Sequence, residues 1–248
     1  MDNILITGGT SGIGYELAKI FAKRKYNVMI VSSSIERLKT SKQKIEDELS
    51  VSIKIYEQDL SQYESARELY KKVKSDNINI DILINNAGFG LVGPTEQIDF
   101  QKDEDMMVLN MITLVNLCKL FLSDMYKKSR GKILNIGSIA SFMPGPYSAT
   151  YFASKAFVLS YSKAIRFEAA KKGVQICTVC PGPTISDFHG QEGLSIPPNA
   201  KTAEEVAEFA YHMLIKNKSV SIPGMFNKLP QMLVPESLRM KYVAKLKG

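Results

Sequence analysis

The chain has 248 residues, 45% of them hydrophobic and 23% charged, the length and composition of one α/β domain that can bury a full core. Three cysteines and two histidines exclude a disulfide scaffold and leave little for metal-centred or histidine-based chemistry. The net charge of +7 comes without a helix-turn-helix, an RNA-recognition signature or interleaved aromatic and basic residues, so nucleic-acid binding is not expected.

The N-terminus, Met1-Asp2-Asn3, has no basic leader, and no run of eighteen apolar residues follows. A cytoplasmic protein with no signal peptide or spanning segment is expected. Ile4–Thr7 reads as a strand that runs through glycines into an amphipathic helix with Ile13, Leu17, Ile20 and Phe21 on one face. Val28–Val31 is a second strand and Ile35–Leu49 a charged helix. Ser52–Tyr56 is a third strand, followed by a helix from about Ser61 to Lys74. Asp81–Asn86, Lys132–Ile136 and Val174–Val179 continue the strands, and a brief one lies near Val220. Between them, helices are expected over about Asp103–Lys128, Thr150–Lys172 and Ala203–Asn217, the last capped by Thr202. Alternating strands and helices of this kind predict a Rossmann-type doubly wound parallel sheet of about seven strands, with helices on both faces, in a single domain. The proline-bearing loop 182–200 follows a strand's carboxyl end, where ligands of open α/β sheets sit, and is the expected lid.

The tail 223–248 is basic. From Leu214 onward seven lysines and arginines stand against Glu236 alone. A solvated tail is one reading, and attraction to anionic substrates or a membrane face is the other. Leu238, Tyr242, Val243 and Leu246 recur at helical spacing there, which predicts a short amphipathic helix docked on its own domain or a partner subunit in preference to lipid. Cys177-Thr-Val-Cys180 matches C-x-x-C literally. It lies on a buried strand and is followed by Pro-Gly, not at the helix N-terminus a reactive thiolate wants, so no redox or metal role is expected.

Three features can carry chemistry. Thr7-Gly-Gly-Thr-Ser-Gly-Ile-Gly14 joins the first strand to the first helix, a turn that lets backbone approach a pyrophosphate at the helix's positive end. After the second strand stand Ser32, Ser33 and Ser34, with Arg37 close behind, where a carboxylate would hold the ribose of NAD. Hydroxyls and a guanidinium suit a 2′-phosphate instead, so the reading leans to NADP, with NAD possible. Tyr151 and Lys155 sit four apart at the start of a helix and so share a face. A neighbouring ammonium favours the phenolate, and lowering a tyrosine's pKa by ~3 units corresponds to roughly 4 kcal/mol.

In order along the chain come the glycine turn, Asn85-Asn-Ala-Gly88, Ser138, Tyr151/Lys155 and Pro181-Gly182. This set resembles the short-chain dehydrogenase/reductase family in its single-domain form. The resemblance implies that Ser138 polarises the substrate oxygen, Tyr151 acts as general acid or base, Lys155 holds the nicotinamide ribose, and Asn110 supports a water-linked proton relay. It implies that Gly8, Ser11, Gly12, Ile13 and Gly14 line the pyrophosphate, that Asp59 and Leu60 lie beside the adenine, and that Asn86, Ala87 and Gly88 run along the adenosine ribose. Pro181, Gly182, Thr184 and Ser186 would border the nicotinamide. Ser186 replaces the family's usual threonine, and Ser33 stands where NADP users often carry arginine. Phe89, Leu91, Phe142, Met143, Tyr147, Phe188 and Leu194 are the expected substrate-pocket residues, pointing to a small hydrophobic carbonyl compound. A 3-oxoacyl thioester reductase is the narrower alternative, and a non-catalytic nucleotide sensor the alternative of another class. A homodimer or homotetramer through the two long helices is expected from the resemblance.

Overall fold

The computed structural model describes residues 1–185, 200–224 and 233–247. Seven parallel strands form one sheet in the order β3-β2-β1-β4-β5-β6-β9. They are β1 Asn3–Thr7, β2 Asn27–Ser32, β3 Ile53–Glu57, β4 Ile82–Asn85, β5 Gly131–Ile136, β6 Val174–Val179 and the short β9 Val220–Ser221. Ile4 lies opposite Val28 on one side and Ile82 on the other. The order reverses between β1 and β4, so a crevice opens beyond the carboxyl ends of these two strands. A separate parallel pair, β7 Thr184–Ile185 with β8 Lys201–Thr202, was not expected, because two residues carry no periodicity.

Both faces of the sheet are apolar. On β1, Leu5 joins a cluster with Leu69, Phe121 and Val158, whereas Ile4 and Ile6 join Leu17, Phe21 and Leu38 on the opposite face. Alternation of side chains with both sides buried is what produces a continuous apolar strand. Helices α1 Gly12–Lys23, α2 Ile35–Leu49 and α7 Ala203–Ile215 cover one face; α3 Ser65–Ser75, α5 Leu114–Lys127 and α6 Ala149–Ala170 cover the other.

Two helices depart from expectation. The one expected from Ser61 starts at Ser65, because Asp59 Oδ1 accepts from both the N–H and the hydroxyl of Ser61 and holds a turn there. The one expected over 103–128 begins earlier, as α4 Phe100–Met107, and passes through a π-helical turn, Val108–Thr113, before α5. By length and composition alone Phe100–Lys127 could cross a bilayer. Leu117, Phe121 and Met125 pack into the sheet, which makes it a core helix. Cys177 and Cys180 are free and buried, and burial pushes their thiols up to about 12 and about 11. Neither supplies a thiolate near neutral pH.

The C-terminal helix Glu236–Lys247 forms, but with its apolar residues divided between two sides. Val243 is buried against Tyr151 and Phe152, while Leu238, Tyr242 and Leu246 are exposed. Arg239 Nη1 donates to Phe142 O at 3.0 Å, fixing the helix to the domain.

Candidate active site

The glycine turn and the fourth strand are braced together. Thr7 Oγ1 accepts from the N–H groups of Asn86 and Ala87, both at 3.0 Å. Asn86 Nδ2 donates to Thr7 O at 3.0 Å and Gly8 O at 3.1 Å. Asn86 thus commits the N–H groups of its side-chain amide to the turn. Gly8 and Gly12 have φ of +64° and +52°, values a side chain resists. A Cβ on Gly14 would strike Gly8 O. Gly14→Ala is therefore expected to spread the turn and weaken nucleotide binding by roughly tenfold, or to lower stability by about 1–3 kcal/mol. Calorimetric titration and a thermal melt on one preparation read both; unchanged values would mean the turn has slack.

Helix α1 starts without a side-chain cap. Ser11 is its N-cap but makes no capping hydrogen bond, and no acid occupies the first turn. By contrast, Ser34 Oγ caps α2 through Arg37 N–H, and Thr202 with Glu205 forms a complete capping box on α7. The first N–H groups of α1 therefore have no side-chain partner from Ser11, and the helix dipole favours negative charge beside the glycines. These residues fit a dinucleotide pyrophosphate. At the end of β2, Ser32 Oγ accepts from Thr10 Oγ1 at 3.3 Å and from Ser34 N–H at 3.5 Å. Ser33 and Arg37 are exposed, and no carboxylate stands among residues 32–34.

Tyr151 and Lys155 lie on the first turns of α6, 8% and 6% exposed. Lys155 Nζ is 5.8 Å from the centroid of the Tyr151 ring and donates to Ile136 O, at the end of β5, at 3.3 Å. A Cβ on Gly88 would sit 2.7 Å from Asn110 Oδ1 and 3.4 Å from Lys155 Nζ. Lys155, Asn110 and the Gly88 backbone therefore share one corner. Burial holds the Lys155 ammonium well below the usual lysine range, at about 8, because a charge out of water is disfavoured.

Asn110 sits in the π turn, a distortion common at functional sites. Its Nδ2 donates to Phe89 O at 3.0 Å and Ser154 Oγ at 3.1 Å, and its Oδ1 accepts from Phe89 N–H at 3.3 Å. Ser154 in turn donates to Tyr151 O at 2.7 Å. Ser138 follows β5; its Oγ accepts from Ala140 N–H at 3.1 Å, which leaves the hydroxyl proton free to point elsewhere. Ile139 N–H donates to Pro181 O at 2.8 Å, tying this turn to the Pro181-Gly182 turn. Thr184 Oγ1 donates to Gly182 O at 2.9 Å. A phenol and a buried ammonium on the first turns of α6, with a hydroxyl donor on the turn that follows β5, are the parts of proton transfer to a carbonyl oxygen.

Among the other expected residues, Leu60 is buried and its carbonyl accepts from Thr113 Oγ1 at 2.8 Å. Phe89, Leu91 and Met143 pack against Tyr151 and Phe152. Phe142 and Met143 also line a cavity of about 550 Å³, with Phe152 and Met240 among its other walls. Tyr151 and Ser138 are not among those walls, so the cavity adjoins the Tyr151 corner, through Phe152, without containing it. Tyr147 stands outside it, 38% exposed, its carbonyl accepting from Gly93 N–H. Ser186, Phe188 and Leu194 lie outside the described residues. Sequence reasoning missed Ser154, whose signal is a small polar residue on the buried side of an apolar helix. It also missed a buried relay in which Asn85 Nδ2 donates to Asn135 Oδ1 at 2.9 Å and Asn135 Nδ2 to Ser162 Oγ at 2.8 Å.

The sequence model of the family described as short chain dehydrogenase matches residues 2–194. The very-long-chain 3-oxoacyl-CoA reductase of Bos taurus is 26% identical over 98% of this chain and 82% of its own length. The 3-ketodihydrosphingosine reductase of Bacteroides thetaiotaomicron is 33% identical over 77% of this chain and 67% of its own. Among solved structures, a short-chain dehydrogenase from Sphingobium yanoikuyae in complex with NADPH superposes with a TM-score of 0.85 at 29% identity, covering 91% of this chain and 89% of that one.

Proposed function

The chain belongs to the short-chain dehydrogenase/reductase family and is an oxidoreductase of the alcohol and ketone class; from that premise we propose that it reduces the carbonyl of an apolar substrate with NADPH. The observation that carries the reading is Lys155, an ammonium buried one helical turn from a phenol and backed by Gly88 and Asn110. When bound, NADPH supplies the hydride that reaches the carbonyl carbon. Tyr151 gives its phenolic proton to the carbonyl oxygen, and Ser138 donates a hydrogen bond to the same oxygen. Lys155, protonated at neutral pH, stabilises the phenolate left behind and holds the nicotinamide ribose. Asn110 fixes the Gly88–Phe89 backbone beside Lys155 and anchors the water-linked path that returns a proton to Tyr151. Gly8, Ser11, Gly12, Ile13 and Gly14 take the pyrophosphate, Asp59 and Leu60 the adenine side, and Pro181, Gly182 and Thr184 the nicotinamide side.

Preference for NADPH rests on Ser33 and Arg37, exposed at the end of β2, where residues 32–34 supply hydroxyls and no carboxylate to bond the 2′-hydroxyl of NADH. Ser33→Asp is expected to lower kcat/KM with NADPH by roughly a hundredfold, since like charges brought together cost several kcal/mol, and to leave NADH within a few-fold. Equal loss with both nucleotides would place the phosphate elsewhere. A homo-oligomer is proposed through the outer face of α6, where Phe157 and Phe167 are exposed.

The substrate side is apolar, with Phe89, Leu91, Phe142 and Met143 around the Tyr151 corner. A 3-oxoacyl thioester is the second reading. The cations of the C-terminal segment favour it, because they attract a phosphate-bearing carrier. Nicotinamide absorbance followed over a panel of ketones, 3-oxoacyl thioesters and secondary alcohols, with NADPH and NADH and at two salt concentrations, tests the proposal. Turnover of apolar carbonyls with NADPH supports it. A salt-sensitive preference for thioesters selects the second reading, and NADPH binding without turnover on any carbonyl overturns both in favour of a sensor.

A further inference from the structure

The C-terminal helix presents two apolar sides, and the domain covers one of them. Val243 is buried and Met240 lines the cavity, while Arg239 and Lys247 reach inward to Phe142 O and the Phe152 ring. On the adjoining side Leu238, Tyr242 and Leu246 form a row at successive turns, 54%, 63% and 54% exposed. Leu233 and Val234 add exposed apolar surface just before the helix. Lys241 and Lys245, also exposed, flank the row on one side.

We propose that this row and its flanking lysines are a docking surface for an anionic lipid bilayer. Charge decides the occupant. Across residues 233–247 Glu236 is the sole acid against four cations, and it sits on the cavity side of the helix. Pairing the face with a second copy would bring Lys241 and Lys245 up to the same lysines with no acid to meet them. The five exposed apolar side chains of this face also fall short of the roughly 800 Å² per partner that a stable dimer buries. A bilayer with acidic headgroups satisfies both features at once: the row enters the acyl boundary while the lysine stems lie along it and their ammonium groups stay among the phosphates. The inference is independent of the catalytic reading.

The chain contains no tryptophan, so Tyr242→Trp gives a single reporter on the face itself. With the full-length protein, its emission is expected to shift to shorter wavelength on adding phosphatidylglycerol/phosphatidylcholine vesicles and to stay put with phosphatidylcholine alone. Sedimentation of otherwise unaltered protein with the mixed vesicles should weaken as salt is raised. Lys241→Ala combined with Lys245→Ala should weaken it by roughly thirtyfold, about fivefold for each lysine. Leu238→Ser combined with Leu246→Ser should abolish it, with the circular dichroism spectrum unchanged in both double variants. Equal partition into neutral and anionic vesicles, or none into either, overturns the proposal. So does an oligomer, seen by analytical ultracentrifugation, that falls apart in the Leu238→Ser, Leu246→Ser protein, since that assigns the face to a second copy.

Discussion

Tyr151→Phe is expected to lower kcat for carbonyl reduction by roughly a thousandfold, while NADPH still binds within about threefold of its native affinity. The ring sits among Met106, Ala140 and Phe152, all apolar, so phenylalanine keeps the packing and only the hydroxyl is lost. A positioned acid contributes about 10²–10⁴-fold. The hydroxyl of Ser138 and the Lys155 ammonium remain to polarise the substrate, which accounts for residual rate. Retention of activity within tenfold of native would assign the proton to another group.

Lys155→Met separates catalysis from stability in opposite directions. Activity is expected to fall by roughly a hundredfold or more, because the phenolate loses its cation. Stability is expected to rise. The folded-state pKa is depressed from 10.5 to about 8, so between those values the unfolded chain binds a proton that the folded chain does not. Native stability therefore increases as pH rises from about 8 toward 10.5, and below about 8 the buried charge is a standing cost. Methionine removes the charge at similar length and should stabilise the nucleotide-free protein by on the order of 2 kcal/mol at pH 7. The rise across that pH window should vanish with it. Urea unfolding at several pH values measures this. A variant less stable than native at pH 7, or one that keeps the alkaline rise, would show that the ammonium is better solvated in the folded state than its burial implies. In the native enzyme the affinity for NADPH should weaken as pH passes about 8 and Lys155 loses its proton.

The central sheet was legible because β1, β2, β4, β5 and β6 are short runs made mostly of apolar residues and buried on both faces; the edge strand β3 carries exposed Lys54 and Glu57. The candidate site was legible because glycine turn, Ser138, Tyr151 and Lys155 occur in a fixed order at the ends of those runs. What escaped was set by tertiary contact. The π turn at Asn110 has no compositional mark: its residues, Val108–Thr113, read as ordinary helix, and only the pairing of the Asn110 amide with the Phe89 backbone reveals why the helix widens there. Ser154 left only the faint signal of a small polar residue in an apolar helix, and its partner Asn110 is set by tertiary contact. The bonds from the Asn86 amide to the carbonyls of Thr7 and Gly8 were likewise invisible in the sequence, because they join residues nearly eighty positions apart. The C-terminal helix shows the reverse. Its spacing was readable, but the periodicity of Leu238, Tyr242, Val243 and Leu246 could not say which side the domain would cover.

The account depends on proton delivery from Tyr151 to an oxygen that is receiving a hydride on its carbon. Single-turnover oxidation of NADPH and of its C4-deuterated form, each in H₂O and D₂O, measures both transfers in one step. Both isotope effects are expected on the same kinetic phase in the native enzyme, and the solvent effect should change or disappear in Tyr151→Phe while the hydride effect persists. A solvent effect identical in the two proteins would contradict the assignment of Tyr151 as the acid.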